Sequence, residues 1–272
     1  MKITEYPSIT TLSEDNVFLV DGTSGTKKIL ANDAVLGSLS LNSVLTRRMI
    51  VRGKNLGTSV DGTQKTAIQN GTFTDLWLGD YWVINGVTWR IVDFDYWYNK
   101  GDTRFLSHHL VIMPDSALTT TSMNTTSVTT DGYMGSNLYT SGMTSVKATV
   151  NSAFPGLVQT HREYLINAVA NGYPSQGTWT DSTVELPNEI MIYGCYIYTP
   201  ANTGTTDVKR YTISNTQLAL FAANPTFIMG GNGYWLRDVA SSSHFARVDA
   251  YGGATSTGAA NSYGIRPVFA IG

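Results

Sequence analysis

The chain reads as a mixed α+β fold, with a small N-terminal β-hairpin unit at residues 1–51 and one larger domain at 52–272. Three observations predict this. Gly (26) and Tyr (15) are plentiful, Ser, Thr and Asn abound, and charged residues are only 14% of the chain, a mix suited to strands, tight turns and ordered loops. Alternating apolar segments flank turn residues, most clearly around Asn85-Gly86. Two stretches with apolar residues at helical spacing interrupt the strands. At 272 residues the apolar content (42%) suffices for a sizeable core.

Element by element, residues 15–29 read as strand, Gly-containing turn, strand. A hairpin this small buries too little surface to stand alone, so it is expected to pack on a neighbouring chain or another protein. Residues 36–52, through Leu39, Leu41, Val44, Leu45, Met49 and Ile50, form a connector, helical or extended. Residues 63–69 make a short helix stopped at Gly71. Residues 78–96 form a hairpin whose Asn85-Gly86 turn suits positive φ. Residues 110–114 are an apolar strand, and 117–132 a Thr- and Ser-rich surface loop. A helix over 144–153 places Val146, Val150 and Phe154 on one face before Pro155-Gly156. A second, over 160–169, places Tyr164, Leu165, Ala168 and Val169 together before Asn171-Gly172. Residues 183–197 hold at least one strand, with Cys195 a small residue in a strand over 191–197. A Thr/Asn/Gly loop at 201–207 and a short segment at 217–222 precede a final strand pair.

Several function classes are excluded. A formal net charge of −2 with no Lys/Arg clusters argues against nucleic acid. Cys195 is alone, so neither an intramolecular disulfide nor a cysteine metal cage is expected. No basic region leads into an apolar run at the N-terminus, so no secretory signal is expected. No apolar run approaches the ~20 residues of a membrane span, so no membrane insertion is expected.

Catalytic patterns are absent: no nucleophile elbow, phosphate-cradling loop or metalloprotease motif occurs. His108 and His109 are adjacent, and neighbours on a strand face opposite ways, so they cannot share one metal. His161 has no obvious partner. Asp80, Asp93, Asp95 and Asp102 cluster in one stretch and Glu185 and Glu189 in another. Asp93 and Asp95 on one strand face would stand ~6–7 Å apart, near glycosidase spacing, but nothing brings a second pair to them. Trp77, Trp82, Trp89 and Trp97 suit either a sugar cleft or core packing. No catalytic residue, cofactor or metal is expected.

The last forty residues are the most informative. Two apolar anchors, Tyr234-Trp235-Leu236-Arg237-Asp238 and Tyr263-Gly264-Ile265-Arg266-Pro267-Val268-Phe269, bracket a small-and-polar stretch from Val239 to Ser262. It is too polar for core and too long for a turn. If Ala246 and Val248 face inward, period two turns Arg247, Asp249 and Tyr251 outward. Across Gly252-Gly253 the return strand adds Thr255 and Thr257, with Ser243 and His244 at the far rim. Tyr, Arg and His in a field of small residues have paratope chemistry. Trp235, Phe245, Val248, Ile265 and Phe269 would form the scaffold, while Arg237 with Asp238, and Arg266, would hold strand ends by hydrogen bonds.

These anchors, with Phe245-Ala246-x-Val248 and Asn261-Ser262-x-Gly264-Ile265-Arg266-Pro267 between and within them, resemble the C-terminal C-type-lectin-like domain of bacteriophage variable proteins diversified by retroelements. Upstream, Arg52-Gly53-Lys54-Asn55-Leu56-Gly57, Gly79-Asp80-Tyr81-Trp82, Trp89-Arg90-Ile91, Ala168-Val169-x-Asn171-Gly172-Tyr173-Pro174-Ser175 and Val184-Glu185-Leu186 are similar to the same family. Asn16-Val17-Phe18-Leu19-Val20-Asp21-Gly22 is similar to virion-attachment ends of phage structural proteins. The resemblance covers nearly the whole chain.

It implies a C-type-lectin-like domain at 52–272 with a variable surface at 232–262, which adds Asn232, Tyr234 and Gly253 to the face. It implies an anchoring module at 1–51 that contacts other virion proteins, and the hairpin that cannot stand alone makes this an oligomerisation module too, with a homo-oligomer, a trimer, as the expected state. The protein would be made in a bacterial cytoplasm and displayed on the virion, on tail tip, fibre or head, where it binds a protein or glycan receptor on the host surface. Adenine-directed mutagenesis of Asn codons never yields Lys, Glu, Gln, Met or Trp, and residues 239–262 contain none of them; roughly three would be expected at their frequency in the chain. The family also includes relatives of the formylglycine-generating oxidase, whose chemistry wants a cysteine pair that a lone Cys195 does not supply. Two rivals stand beside adhesion: a carbohydrate-active enzyme using Asp93 or Glu185 in a tryptophan-lined cleft, and a capsid decoration protein without a ligand.

Overall fold

Antiparallel pairing starts near the N-terminus, where Val17 of β1 (Val17–Val20) lies opposite Leu30 of β2 (Lys27–Leu30). This computed structural model describes residues 17–20, 27–30, 44–199 and 216–272. The turn of the N-terminal hairpin, most of the expected connector and the loop at 201–207 lie outside the described residues. The connector's described end is a single helical turn, α1 (Val44–Arg47), tied down where Arg47 Nη1 donates to the Leu76 carbonyl at 2.8 Å.

Helix α2 (Gly62–Gln69) is capped reciprocally: Asp61 Oδ1 accepts from the Gln64 N–H, and Gln64 Oε1 accepts from the Asp61 N–H. Asn85 and Gly86 take φ of 52° and 77°, the left-handed backbone a two-residue hairpin needs. They fold β3 (Tyr81–Ile84) onto β4 (Val87–Phe94), with Ile84 opposite Val87. β5 (Leu110–Pro114), buried at every residue, pairs with β4. On its other side β5 takes the C-terminal strand β14 (Val268–Ile271), which also pairs with the two-residue β9 (Val184–Glu185). The order of this first sheet is β3-β4-β5-β14-β9.

α3 (Met143–Ala153), entered through a π-turn at Leu138–Gly142, buries Val146 and Val150 as its spacing predicts. Phe154 at its end meets Trp89 and Phe269, each with ring centroids 5.5 Å away. Full burial of such aromatics contributes about 1.5–3 kcal/mol each, so this cluster is a principal anchor of helix on sheet.

Four expectations need correction. Residues 160–169 are not a helix. They form β7 (His161–Ala170), which pairs along its length with β8 (Tyr173–Ser182) around an Asn171-Gly172 turn at φ 53° and 79°. Its inward set is His161, Glu163 and Leu165, and two polar members hide the period of two from a hydrophobicity reading. The run containing Cys195 is not a strand: α4 (Glu189–Tyr193) begins where Asn188 Oδ1 accepts from the Met191 N–H and ends at Gly194 in the left-handed region, leaving Cys195 exposed. Residues 117–132 are not all loop, since β6 (Thr119–Ser122) joins a sheet. Asp95 lies beyond the end of β4 at φ 50°, after a bulge, and does not extend one strand face with Asp93.

The second sheet runs β12-β11-β10-β13-β6, where β10 is Tyr234–Val239, β11 is His244–Val248, β12 is Ala254–Gly258 and β13 is Ser262–Ile265. α5 (Ala219–Ala223) precedes it. Tyr234 and Gly264 align in its one parallel pair. Arg266 ties the two sheets: Nε donates to the Pro114 carbonyl at 2.8 Å, Nη1 to Ile228 and Nη2 to Phe227 at 3.0 Å each. Mixed α+β architecture, mostly sheet, is thus what the sequence builds.

Candidate functional site

The β11–β12 hairpin exists in the register that alternation predicts: Arg247 opposite Thr255, Phe245 opposite Thr257, Ala246 opposite Ser256. Ala246 and Val248 are fully buried, so the sheet's inner face is committed to the core. On the other face, register aligns Thr255, Arg247 and Trp235 across three strands, and the paired Tyr263 and Thr121 lie on the same face, offset from that row by two residues. Trp235 is buried there, its Nε1 donating to the Thr121 carbonyl at 2.9 Å and its ring edge-on to Tyr263 at 5.3 Å. Above it Arg247 Cζ stands 4.0 Å over the Tyr263 ring. Arg247, Tyr263, Thr255, Thr257 and Thr121 are all half-exposed.

The hairpin tip is pinned. Asp249 Oδ1 accepts from the N–H groups of Tyr251 and Gly253, both at 2.8 Å, and the Asp249 N–H donates to the Gly253 carbonyl. Tyr193 Oη donates to the Gly252 carbonyl at 3.1 Å. Asp249 and Gly253 therefore shape the loop. Tyr251 is what the loop displays, at 89% exposure, with Met229 (45% exposed) beneath Gly252. Asn232 is exposed between Gly231 and Gly233, just ahead of β10.

Ser243 and His244 occupy the opposite end of the hairpin. Ring Nδ1 of His244 lies 2.7 Å from Ser243 Oγ and 3.2 Å from Ser241 Oγ. The loop at 123–137 packs on this end: Thr129 Oγ1 donates to the Ser241 carbonyl at 2.7 Å, and the Asn124 N–H to Ala259. That loop encloses an open polar cleft of about 240 Å³ lined by Asn124, Thr126, Val128, Asp131 and Asn137.

Tyr234 does not belong to this face. It is fully buried on the inner side, its hydroxyl donating to the Ile228 carbonyl at 2.9 Å with Arg266 over its ring. The remaining nine expected residues split into a tip (Asn232, Asp249, Tyr251, Gly253), a centre (Arg247, Thr255, Thr257) and a base (Ser243, His244). Tyr263, Thr121 and Met229 complete the surface but escape sequence reading. Tyr263 and Thr121 reach it through pairing of β13 with β6, a contact between residues far apart in the chain.

No protein-family model, curated protein or solved structure matches this chain.

The carboxylates and tryptophans of the enzymatic rival are internal. Trp82, Trp89 and Trp97 are buried, and Trp77 is partly covered beneath Arg47. Asp93 is buried against Arg48 and accepts from the Phe94 and Ala219 N–H groups; burial raises its pKa even so. Glu185 is held by Tyr133 Oη at 2.9 Å and Ser182 Oγ at 3.0 Å, and burial again raises it. These four tryptophans do not line an open cleft. Among the described residues no group of three or more His, Cys, Asp or Glu is placed to hold a metal, and no helix is long and apolar enough to cross a membrane. His108 stacks on Tyr98 at 4.7 Å and meets Asp95, while His109 is buried against Trp97.

Proposed function

We propose that this chain is a virion adhesin of a bacteriophage: a C-type-lectin-like domain whose second sheet presents a variable face to a receptor on the bacterial surface, carried on an N-terminal anchoring module that trimerises. The observation that carries the reading is the exposed Tyr251 on a loop whose backbone Asp249 and Tyr193 hold in place. A displayed aromatic on a pre-ordered backbone loses little entropy on binding. Its neighbours Arg247, Thr255 and Thr257 stand half-exposed on the face opposite the packed Ala246 and Val248, open to a ligand. The resemblance in the two apolar anchors supplies the phage context. Many copies per particle would turn a weak contact into durable attachment by effective concentration.

The test is binding of the intact purified chain to a panel of bacterial isolates, followed by cytometry. At least one isolate should retain the protein, and substitution of Tyr251, Thr255 and Thr257 together by Ala should abolish retention with unfolding temperature preserved. Retention indifferent to the substitution would overturn the assignment of the face. Light scattering that finds a monomer would remove the trimer.

A further inference from the structure

The geometry points to an anion subsite at Arg247, taking the carboxylate or sulfate group of an acidic saccharide. This rests on reading the β11–β12 face as the receptor-binding surface. Arg247 carries five N–H donors, yet among the described residues its only protein hydrogen bond is a 3.5 Å contact from Nη1 to the Val248 carbonyl, and its Nε is buried without a partner. Among the described residues no carboxylate lies within 4 Å of it. Asp249, the nearest carboxylate in sequence, is occupied with the Tyr251 and Gly253 N–H groups. Other arginines are used differently: Arg52, Arg90, Arg162 and Arg237 pair with carboxylates, and Arg266 donates to three carbonyls.

The guanidinium is also oriented. Its Cζ sits 4.0 Å over the Tyr263 ring, and among the described residues Nη2 has no protein partner. With Nε buried, the Nη1–Nη2 edge is the one that suits a carboxylate or sulfate group bidentately. The hydroxyls of Thr255 opposite it and of Thr121 opposite Tyr263, on the same face of the sheet, suit sugar hydroxyls. A partly desolvated, uncompensated cation amid hydroxyls favours an acidic sugar over an apolar peptide.

The test uses biolayer interferometry with the intact chain on immobilised polygalacturonate (carboxylate), dextran sulfate (sulfate ester) and neutral dextran. The chain should bind one or both acidic polymers and not dextran, with binding weakened by raising the salt. Binding to one polymer alone assigns which acid the subsite takes. Arg247→Gln should weaken that binding by roughly tenfold or more while the thermal unfolding curve stays close to the parent's. Should Arg247→Gln fail to fold, Arg247→Lys, which keeps the charge and loses the planar edge, should still weaken binding severalfold. Absence of binding to either acidic polymer, or equal binding by parent and variants, overturns the subsite. Bacterial binding separates the two failures: loss with the Tyr251, Thr255 and Thr257 substitutions but not with Arg247→Gln removes the anion subsite and leaves the adhesive face. Indifference to all of them removes both.

Discussion

The backbone N–H of Trp97 donates to Nε2 of His109 at 3.1 Å. On the other side of the same ring Nδ1 donates to the Ser107 carbonyl at 3.0 Å, so the imidazole is held neutral in a single tautomer. Burial drives its pKa down to about 3.

His109 should therefore contribute a loss of stability in acid, opposed by buried Asp238, whose pKa burial raises to about 7. Below about pH 6.5 the unfolded chain protonates His109 while the folded one does not, so the unfolded form binds more protons and is favoured. The loss should run from pH 6.5 down to about 3, at up to about 1.4 kcal/mol per pH unit for the single proton. Urea titrations of the parent and His109→Gln at pH 7.5, 6 and 4.5 check this: the variant should be weaker at pH 7.5, and the gap between the two should narrow toward pH 4.5. Parallel pH slopes would refute it.

Glu163 is shared by two buried donors, Trp97 Nε1 at 2.8 Å and Arg237 Nη2 at 3.0 Å. Glu163→Gln keeps the shape but removes Arg237's ion-pair partner, which should cost about 3–5 kcal/mol. For a domain of this size each kcal/mol lowers the unfolding temperature by roughly 2–4 °C. Glu163→Leu with Arg237→Met together should cost less than the sum of the two single changes. Strict additivity in calorimetry would show that the pair is not coupled.

Two glycines should respond oppositely to alanine. A Cβ on Gly264 would stand 2.6 Å from the Ala117 Cβ and 2.7 Å from the Gly233 carbonyl oxygen, and backbone cannot yield easily, so a loss of roughly 1–3 kcal/mol is expected. A Cβ on Gly62, in the first turn of α2, meets nothing within 4 Å. There alanine should raise stability by about 0.4–1 kcal/mol through the unfolded chain's lost freedom. Chemical denaturation of the two variants decides; a destabilised Gly62→Ala would contradict the helix as described.

Tyr234 and Tyr251 come from the same expected face and should behave as opposites. Tyr234→Phe removes the hydrogen bond to Ile228 and should cost about 0.5–1.5 kcal/mol without altering binding to bacteria. Tyr251→Ala should change stability by less than about 0.5 kcal/mol and reduce that binding. Denaturation and cytometry on the same two proteins separate the outcomes.

Where the structure agrees with the sequence reading, the signal is local. Asn85-Gly86 closes its hairpin, Asp61 and Gln64 cap α2, and Val146 and Val150 share the buried side of α3. Where it departs, a local signal was present but outweighed. Asn171-Gly172 carries the same turn chemistry as Asn85-Gly86, yet Leu165, Ala168 and Val169 mimic helical spacing because β7 turns His161 and Glu163 inward. Asn188 and Gly194 mark both ends of α4, but the aromatic and β-branched residues between them read as strand.

The site divides along the same line. Alternation along 244–251 was enough to separate Ala246 and Val248 from Arg247, since side-chain direction on a strand depends only on position. It could not show that Tyr234 turns inward toward Arg266, nor that Tyr263 supports Arg247 from a strand paired with β6. Turns, caps and alternation follow from residues a few positions apart, and the sequence determined these by itself. Which polar groups the interior accepts depends on partners up to 152 residues distant, as between Arg266 and Pro114. Only the assembled chain offers a buried donor its acceptor, and so tertiary structure alone decided which of these residues remain facing outward.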